Sequence, residues 1–293
     1  MRNLFERLEK QAIIKNTFFI KNGVPRLPKN SNSIKLFFKG DNALADMVKS
    51  SRKIFRNFDS TTSVLIKINI NSSNPYPAST SGDMIDAVLH CLLDLGIKKI
   101  CIGDCSGLIH LPTRKVINRK DFYRFKKYGI KIKAFDYGRW VNIPINGVYF
   151  KNIVLSQSIY KYDKIINLAN LKSHSLARFS FSTKSLVGFM HPFQRYDLHK
   201  DHLEERIAEL PLAIQPDINI IDARSIFIDG GPDIGTAAEA KTIIVSGHLL
   251  DADLIAYDLL FSLKRKFGIN DLDENLHNTK FFQHFIKVTG EKH

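Results

Sequence analysis

One strand–helix–strand period constrains this chain more than any other feature. Val64-Leu65-Ile66-Lys67-Ile68-Asn69 is a short aliphatic run rich in β-branched residues, which predicts a buried strand. Thr80 or Ser81 can cap a following helix over residues 82–95. Its apolar positions Ile85, Val88, Leu89, Leu92 and Leu93 share one stripe, and Gly96 is placed to end it. Lys99-Ile100-Cys101-Ile102-Gly103 is the next strand, closed by Asp104. A buried strand, a crossover helix and a second buried strand at this spacing make a βαβ unit, hence parallel strands and a right-handed connection.

The same pattern extends along the chain. Strands are expected at residues 33–38, 130–135, 149–155, 164–168, 218–221 and 242–245. Helices are expected at 43–58, from about 175 to Val187, at 197–210 and at 251–267. Residues 1–32 read as an N-terminal extension in which Leu4, Leu8 and Ile13 form a short amphipathic helix before Pro25 and Pro28 break the chain. Residues 33–268 read as the α/β domain, and 269–293 as a C-terminal tail. The expected fold class is α/β, a mostly parallel sheet flanked by helices and built from βαβ units, as one domain or two lobes.

Composition narrows the class. No stretch approaches the ~20 uncharged apolar residues of a membrane span, and the first residues lack the apolar block of a secretory signal. Three cysteines, Cys91, Cys101 and Cys105, cannot pair completely and fall short of the four that hold a typical iron–sulfur cluster. A reducing cytoplasm is therefore expected, with no membrane partner. Cys91 and Cys101 fit packing positions, and Cys105, in a loop, is the one thiol singled out for reactivity. The net charge of +14 is spread along the chain, with clusters at residues 2–26 and 115–133. It reads first as a solvated basic surface, next as attraction for an anionic ligand, and only then as a nucleic-acid partner.

In an open parallel sheet, ligands bind beyond the carboxyl ends of the strands. Those ends carry Asn69 and Asn71; Asp104, Ser106 and Gly107; Asn170, Lys172 and His174; Asp222 and Arg224; and Ser246 and His248. Lys67 interrupts an apolar strand, and a buried lysine needs an anion. It reads either as an edge residue with its head in water, or as a cation that binds a phosphate or carboxylate or pairs with a site aspartate. The segment from Leu171 to His202 is densest, with Lys172, His174, Arg178, Lys184, His191, Arg195, His199 and His202. Lys172 and His174 are expected in a strand-to-helix turn, where a helix N-terminus favours anions. His199, His202 and Arg206 are expected on one helix face. The histidines match no specific zinc spacing, so the segment reads first as a basic pocket, then as unrelated surface, then as a metal site. No GxGxxG or GxxxxGK[ST] run occurs, which argues against ordinary NAD binding and P-loop chemistry. Asp251, Asp253 and Asp258 open the last expected helix; the first two read as dipole and cap residues, and Asp258 as a partner for a site lysine.

These residues resemble the family called domain of unknown function 362. The resemblance runs through Lys67-Ile68-Asn69, then Gly103-Asp104-Cys105-Ser106, then Asn170-Leu171-Lys172-Ser173-His174 with Lys184 and Gly188. It continues through His199, Asp222, the turn Gly231-Pro232-Asp233-Ile234-Gly235, and Asp253-Leu254-Ile255-Ala256-Tyr257-Asp258, covering roughly residues 61–265. Two departures stand out. Ser185 follows Lys184 where the family often has Asn, and the clustered cysteines of its ferredoxin-like members are missing, so no iron–sulfur cluster is expected. The resemblance implies a fold and a set of site residues, and no reaction.

The leading expectation is an enzyme using a small anionic ligand. Lys172, His174 and Lys184 are the candidate catalytic groups, with His174 as acid or base because its ordinary pKa lies near neutrality. Lys67, Asn69, Asp104, Ser106, Arg195, His199, Asp222 and Asp258 are the candidate ligand-binding or orienting groups. The alternative is a non-catalytic protein binding a metal, a cofactor or nucleic acid.

Overall fold

The computed structural model describes residues 21–28 and 33–291. The helix expected around Leu4–Ile13 lies outside them. Along the chain come β1 (Lys21–Asn22), β2 (Lys35–Lys39), α1 (Ala43–Lys49), α2 (Ser51–Ile54), β3 (Ser63–Lys67), α3 (Gly82–Asp94) and β4 (Lys99–Asp104). Next are α4 (Thr113–Arg119), β5 (Lys131–Ala134), β6 (Trp140–Pro144), β7 (Asn152–Ser156), β8 (Lys164–His174), β9 (Arg178–Ser180), α5 (Ser182–Ser185), α6 (Pro192–Leu198) and α7 (Leu203–Ala208). The chain closes with β10 (Ile218–Gly230), β11 (Gly235–Ser246), α8 (Leu249–Lys266) and α9 (Lys280–Thr289).

The main sheet has the order β2-β11-β10-β8-β3-β4-β5, with β9 hairpinned onto β8. From β10 to β5 every pairing is parallel, and β11 pairs antiparallel with both β10 and β2. The fold is therefore α/β with a mixed sheet whose centre is parallel. Every residue of β3 is buried, which is why its sequence runs apolar without alternation. Leu65, Cys101, Ile165, Ala169 and Ile221 face a cluster shared with α8, α9 and a small sheet of order β1-β6-β7. Val64, Ile66, Ile100, Ile166 and Ile218 face α1, α3 and α4. Both sheets thus feed one hydrophobic cluster, and the two-lobe alternative gains no support from the packing. Among the described residues no helix is long and apolar enough to cross a membrane.

The βαβ unit forms as its periodicity requires, and Gly96 ends α3 at φ +77°, a left-handed conformation that costs glycine little. Four expectations need correction. The helix expected after His174 is absent there: β8 runs straight on through His174 and returns as β9, after Arg178 at φ +62°. The expected 197–210 helix is two short helices broken at His202, which sits at φ +47°. The strands expected at 218–221 and 242–245 are parts of one long hairpin, β10–β11. The expected tail contains α9, whose Phe281, Phe282 and Phe285 are buried. A three-residue aromatic stripe at helical spacing removes enough apolar surface to dock a short helix.

Glu209 ties this helix to the small sheet. It is fully buried, accepts the amides of Val148, Tyr149 and Phe150 at 2.6, 3.0 and 2.8 Å, and lies 2.9 Å from His284 Nε2 on α9. Glu209→Gln would place an amide NH₂ against those donors. A loss of about 2 kcal/mol in urea unfolding is expected; a change below about 0.5 kcal/mol would show that the carboxylate is not needed there.

Candidate functional site

Three parallel strands deliver the polar groups. Lys67 ends β3, and in register it lies between Gly103 of β4 and Asn167 of β8. Asp104 follows Gly103, so one step past the register two neighbouring strands present a cation and an anion. Lys67 Nζ lies 2.8 Å from Asp104 Oδ1, with both side chains at most 3% exposed. The ammonium also donates to the Ile68 carbonyl at 2.6 Å and to Ser185 Oγ at 3.4 Å, and Asp104 Oδ2 accepts the Ile70 amide at 2.8 Å. Burial lowers the Lys67 pKa, and Asp104 opposes that shift. The edge reading of Lys67 is therefore overturned: β3 is a central strand.

β8 extends past its pairing with β3 and carries Lys172 and His174 over the strand ends. Lys172 Nζ donates to the carbonyls of Ala78 and Pro232, at 2.6 and 3.1 Å, but among the described residues it has no carboxylate in hydrogen-bonding range. Burial lowers its pKa to about 8. Lys184 projects from α5 with no hydrogen-bond or ion-pair partner among the described residues. Burial, with Lys172 and Arg195 nearby, lowers its pKa to about 7. Arg195, on α6, is buried. One Nη donates to the Cys105 carbonyl at 3.2 Å, while Nε finds no partner among the described residues.

The histidines differ from the expectation. His174 Nδ1 accepts the amides of Leu176 and Ala177 at 3.1 and 3.2 Å, leaving Nε2 to carry the hydrogen. Burial and the neighbouring Lys184 and Lys172 push its pKa far below neutrality. An imidazole that stays neutral is a fixed hydrogen-bond donor, so the expected acid–base role of His174 does not fit. His199 Nδ1 lies 2.6 Å from the Arg195 carbonyl, which makes Nδ1 the donor and Nε2 an acceptor. Burial, with Lys184 close by, lowers its pKa to about 4. His202 is exposed and stacks on Tyr149, so it shares no face with His199.

Lys67, Asn69, Asp104, Lys172, His174, Lys184 and Arg195 all line one hollow of about 60 Å³. Four further candidates, His199 and the three that follow, do not. Ser106 is buried against Thr113, 3.1 Å away, and fixes the loop behind Asp104. Asp222 follows Ile220 onto the opposite face of the sheet, where Arg224 binds both its oxygens at 2.9 and 2.7 Å and Tyr76 donates at 2.8 Å. Asp258 is exposed on α8. Five residues of helix rotate it about 140° from Asp253, away from the core. Cys105 lines the hollow, but burial raises its thiol pKa to about 12, so the reactivity expected of a loop cysteine is not built in.

Two residues outside that candidate set support the site. Asp253, 1% exposed, accepts the Ser182 amide at 2.8 Å and the Thr183 amide at 3.1 Å, capping the short helix that carries Lys184. Burial raises its pKa to about 7. Asn167 donates to the Ser182 carbonyl at 2.9 Å. The sequence signal for this floor was five polar residues, Asn167, Asn170, Lys172, Ser173 and His174, in a strand that proves almost wholly buried.

Gly188 lets the elements close. A Cβ there would lie 2.1 Å from Asp104 Oδ1 and 2.5 Å from Lys67 Cε. Among the described residues no group of three or more His, Cys, Asp or Glu side chains is arranged to hold a metal. The hollow instead combines four cationic side chains with one carboxylate, a set suited to a small anion.

A thylakoid-associated protein of Synechocystis sp. is 28% identical over 117 residues, which are 38% of this chain and 36% of that protein. The chain thus matches about a third of that relative's length. A protein of Thermotoga maritima with a known crystal structure superposes with a TM-score of 0.47 at 11% identity, over 78% of this chain and 60% of that one. The family model described as a domain of unknown function, DUF362, matches residues 64–258. Since that span covers most of the chain and all the strand ends described above, the chain belongs to the domain of unknown function 362 family.

Proposed function

We propose that the hollow binds a small carboxylate- or phosphate-type anion and that Lys184 exchanges a proton with it. The observation that carries this reading is Lys184 itself: a half-buried amine with no partner among the described residues, beside three other cations and one carboxylate. Leaving such a cluster uncompensated is costly, and a bound anion would offset that cost. Arg195 and Lys172 would hold the anion, and His174 would donate from Nε2. With a pKa of about 7, Lys184 is divided between amine and ammonium near neutral pH, as proton transfer requires. The Lys67–Asp104 pair would position the strand ends without changing its protonation. A volume of about 60 Å³ suits one anionic group or the end of a longer molecule, well below the ~300 Å³ of a pocket for a whole cofactor. Three unpaired, buried cysteines favour a reducing compartment, and so the cytoplasm.

Calorimetric titration with inorganic phosphate, sulfate and malonate tests the reading. At least one should bind at pH 6.5, and Lys172→Met and Arg195→Met should each weaken it at least tenfold. The reading fails if none of the three binds at 10 mM, or if both variants bind as the parent does.

A further inference from the structure

A second surface lies away from that hollow, along the free edge of the main sheet. β5 is the terminal strand, and beside it is an open cavity of about 660 Å³ lined by Arg114, Lys126, Lys133 and Lys161 among others. A neighbouring cavity of about 480 Å³ shares Lys133 and Lys161 and adds Lys98 and Lys131. Among the described residues no aspartate or glutamate lines either one. Aromatic rings are interleaved with the cations. The Arg114 guanidinium lies 3.9 Å from the Tyr137 ring centroid, Lys126 Nζ lies 4.6 Å from that of Tyr123, and Lys133 Nζ lies 5.4 Å from that of Tyr162. Tyr137 is 42% exposed.

We propose that this groove is a binding site for single-stranded nucleic acid. Like charges gathered without carboxylates repel one another, and a phosphate chain relieves that repulsion while releasing its counterions. The two cavities meet at shared lysines, so the positive surface is a track rather than one anion's pocket. The exposed tyrosine face and the stacked guanidinium plane offer platforms for bases, the combination by which single strands are held without sequence reading. The concavity argues against the alternatives. A duplex presents a convex rod that meets only the rim, and an anionic bilayer calls for projecting apolar wedges rather than rings set in a hollow. The nucleic-acid reading, which the sequence ranks below a solvated surface and an anionic ligand, is thus given a defined geometry by this groove.

Fluorescence anisotropy of a labelled twelve-nucleotide oligouridylate, titrated between 50 and 300 mM KCl, tests this. The parent should bind with affinity that falls steeply with salt. K126E/K131E/K161E should lose at least 30-fold at 100 mM and flatten the log–log salt slope by about 2, at roughly 0.7 per phosphate contact. K53E/K266E/K287E changes net charge equally and should lose no more than threefold. Tyr137→Ala should weaken binding about five- to twentyfold with the slope unchanged, which supplies a readout even if the triple variant folds poorly. Lys184→Met should bind the oligonucleotide as the parent does, separating this site from the anion hollow. Equal losses in the two triple variants overturn the proposal. So does an absence of oligonucleotide binding at 50 mM KCl, including the case in which phosphatidylserine vesicles are bound instead.

Discussion

Gly188→Ala is expected to abolish phosphate, sulfate or malonate binding and to destabilise the fold by about 3–5 kcal/mol, the usual cost of disrupting a buried ion pair. A methyl group there would fall 2.1 Å from Asp104 Oδ1 and 2.7 Å from Lys67 Nζ. Neither group can retreat cheaply. Asp104 is tied to the Ile70 amide at 2.8 Å, and Lys67 is tied to the Ile68 carbonyl at 2.6 Å. Water cannot replace what is lost, because both side chains are at most 3% exposed. Either the pair separates and leaves two charges without compensation, or the segment bearing Gly188 moves away and takes Lys184 with it. Urea unfolding and the anion titration read the two consequences separately. A variant within about 1 kcal/mol of the parent that still binds the anion would show that the close approach is not structurally required.

Lys184→Met should change how stability depends on pH. The folded pKa of Lys184 lies near 7 against an ordinary 10.5, so between those values the unfolded chain binds more protons. Stability contributed by this group is therefore lowest below pH 7 and rises with pH towards 10.5. From pH 6.5 to 9.5 the parent should gain about 3 kcal/mol relative to the methionine variant, which carries no titrating group there. At pH 6.5 the variant should be the more stable protein, since it no longer buries an unpaired ammonium. Urea unfolding of both proteins at the two pH values provides the comparison, because other titrations cancel in the difference. A difference that is flat across this window would mean that Lys184 keeps an ordinary pKa, and the proton-exchange role would fall with it. Saturating sulfate should flatten the same difference by holding the ammonium in its charged form.

Much of this architecture was legible in local pattern. The β3–α3–β4 unit was marked by two aliphatic runs around an amphipathic stripe, and Gly96 closed the helix where a left-handed residue was needed. The sequence alone marks Lys67, Asn69, Asp104, Lys172, His174, Lys184 and Arg195 as candidates, because parallel strands send their carboxyl ends to one edge. Face was less legible than position. Asp222 ends a strand of the same sheet, yet alternation along β10 turns it to the α3 side, where Arg224 and Tyr76 occupy it. Asp253 and Asp258 looked alike in the sequence. Helical rotation buries the first beneath α5 and leaves the second in solvent.

The sequence by itself determined which segments are central strands, which helix crosses between them, and which cations stand at the strand ends, because these follow from short-range periodicity and from the direction of a parallel sheet. Only the tertiary structure decided what those groups are chemically. The pKa values of His174 and Lys184 are lowered and that of Cys105 is raised because each senses a dielectric and a set of charges assembled from distant parts of the chain. Burial and Coulomb interactions act over several ångströms of space, and no spacing along a sequence records them.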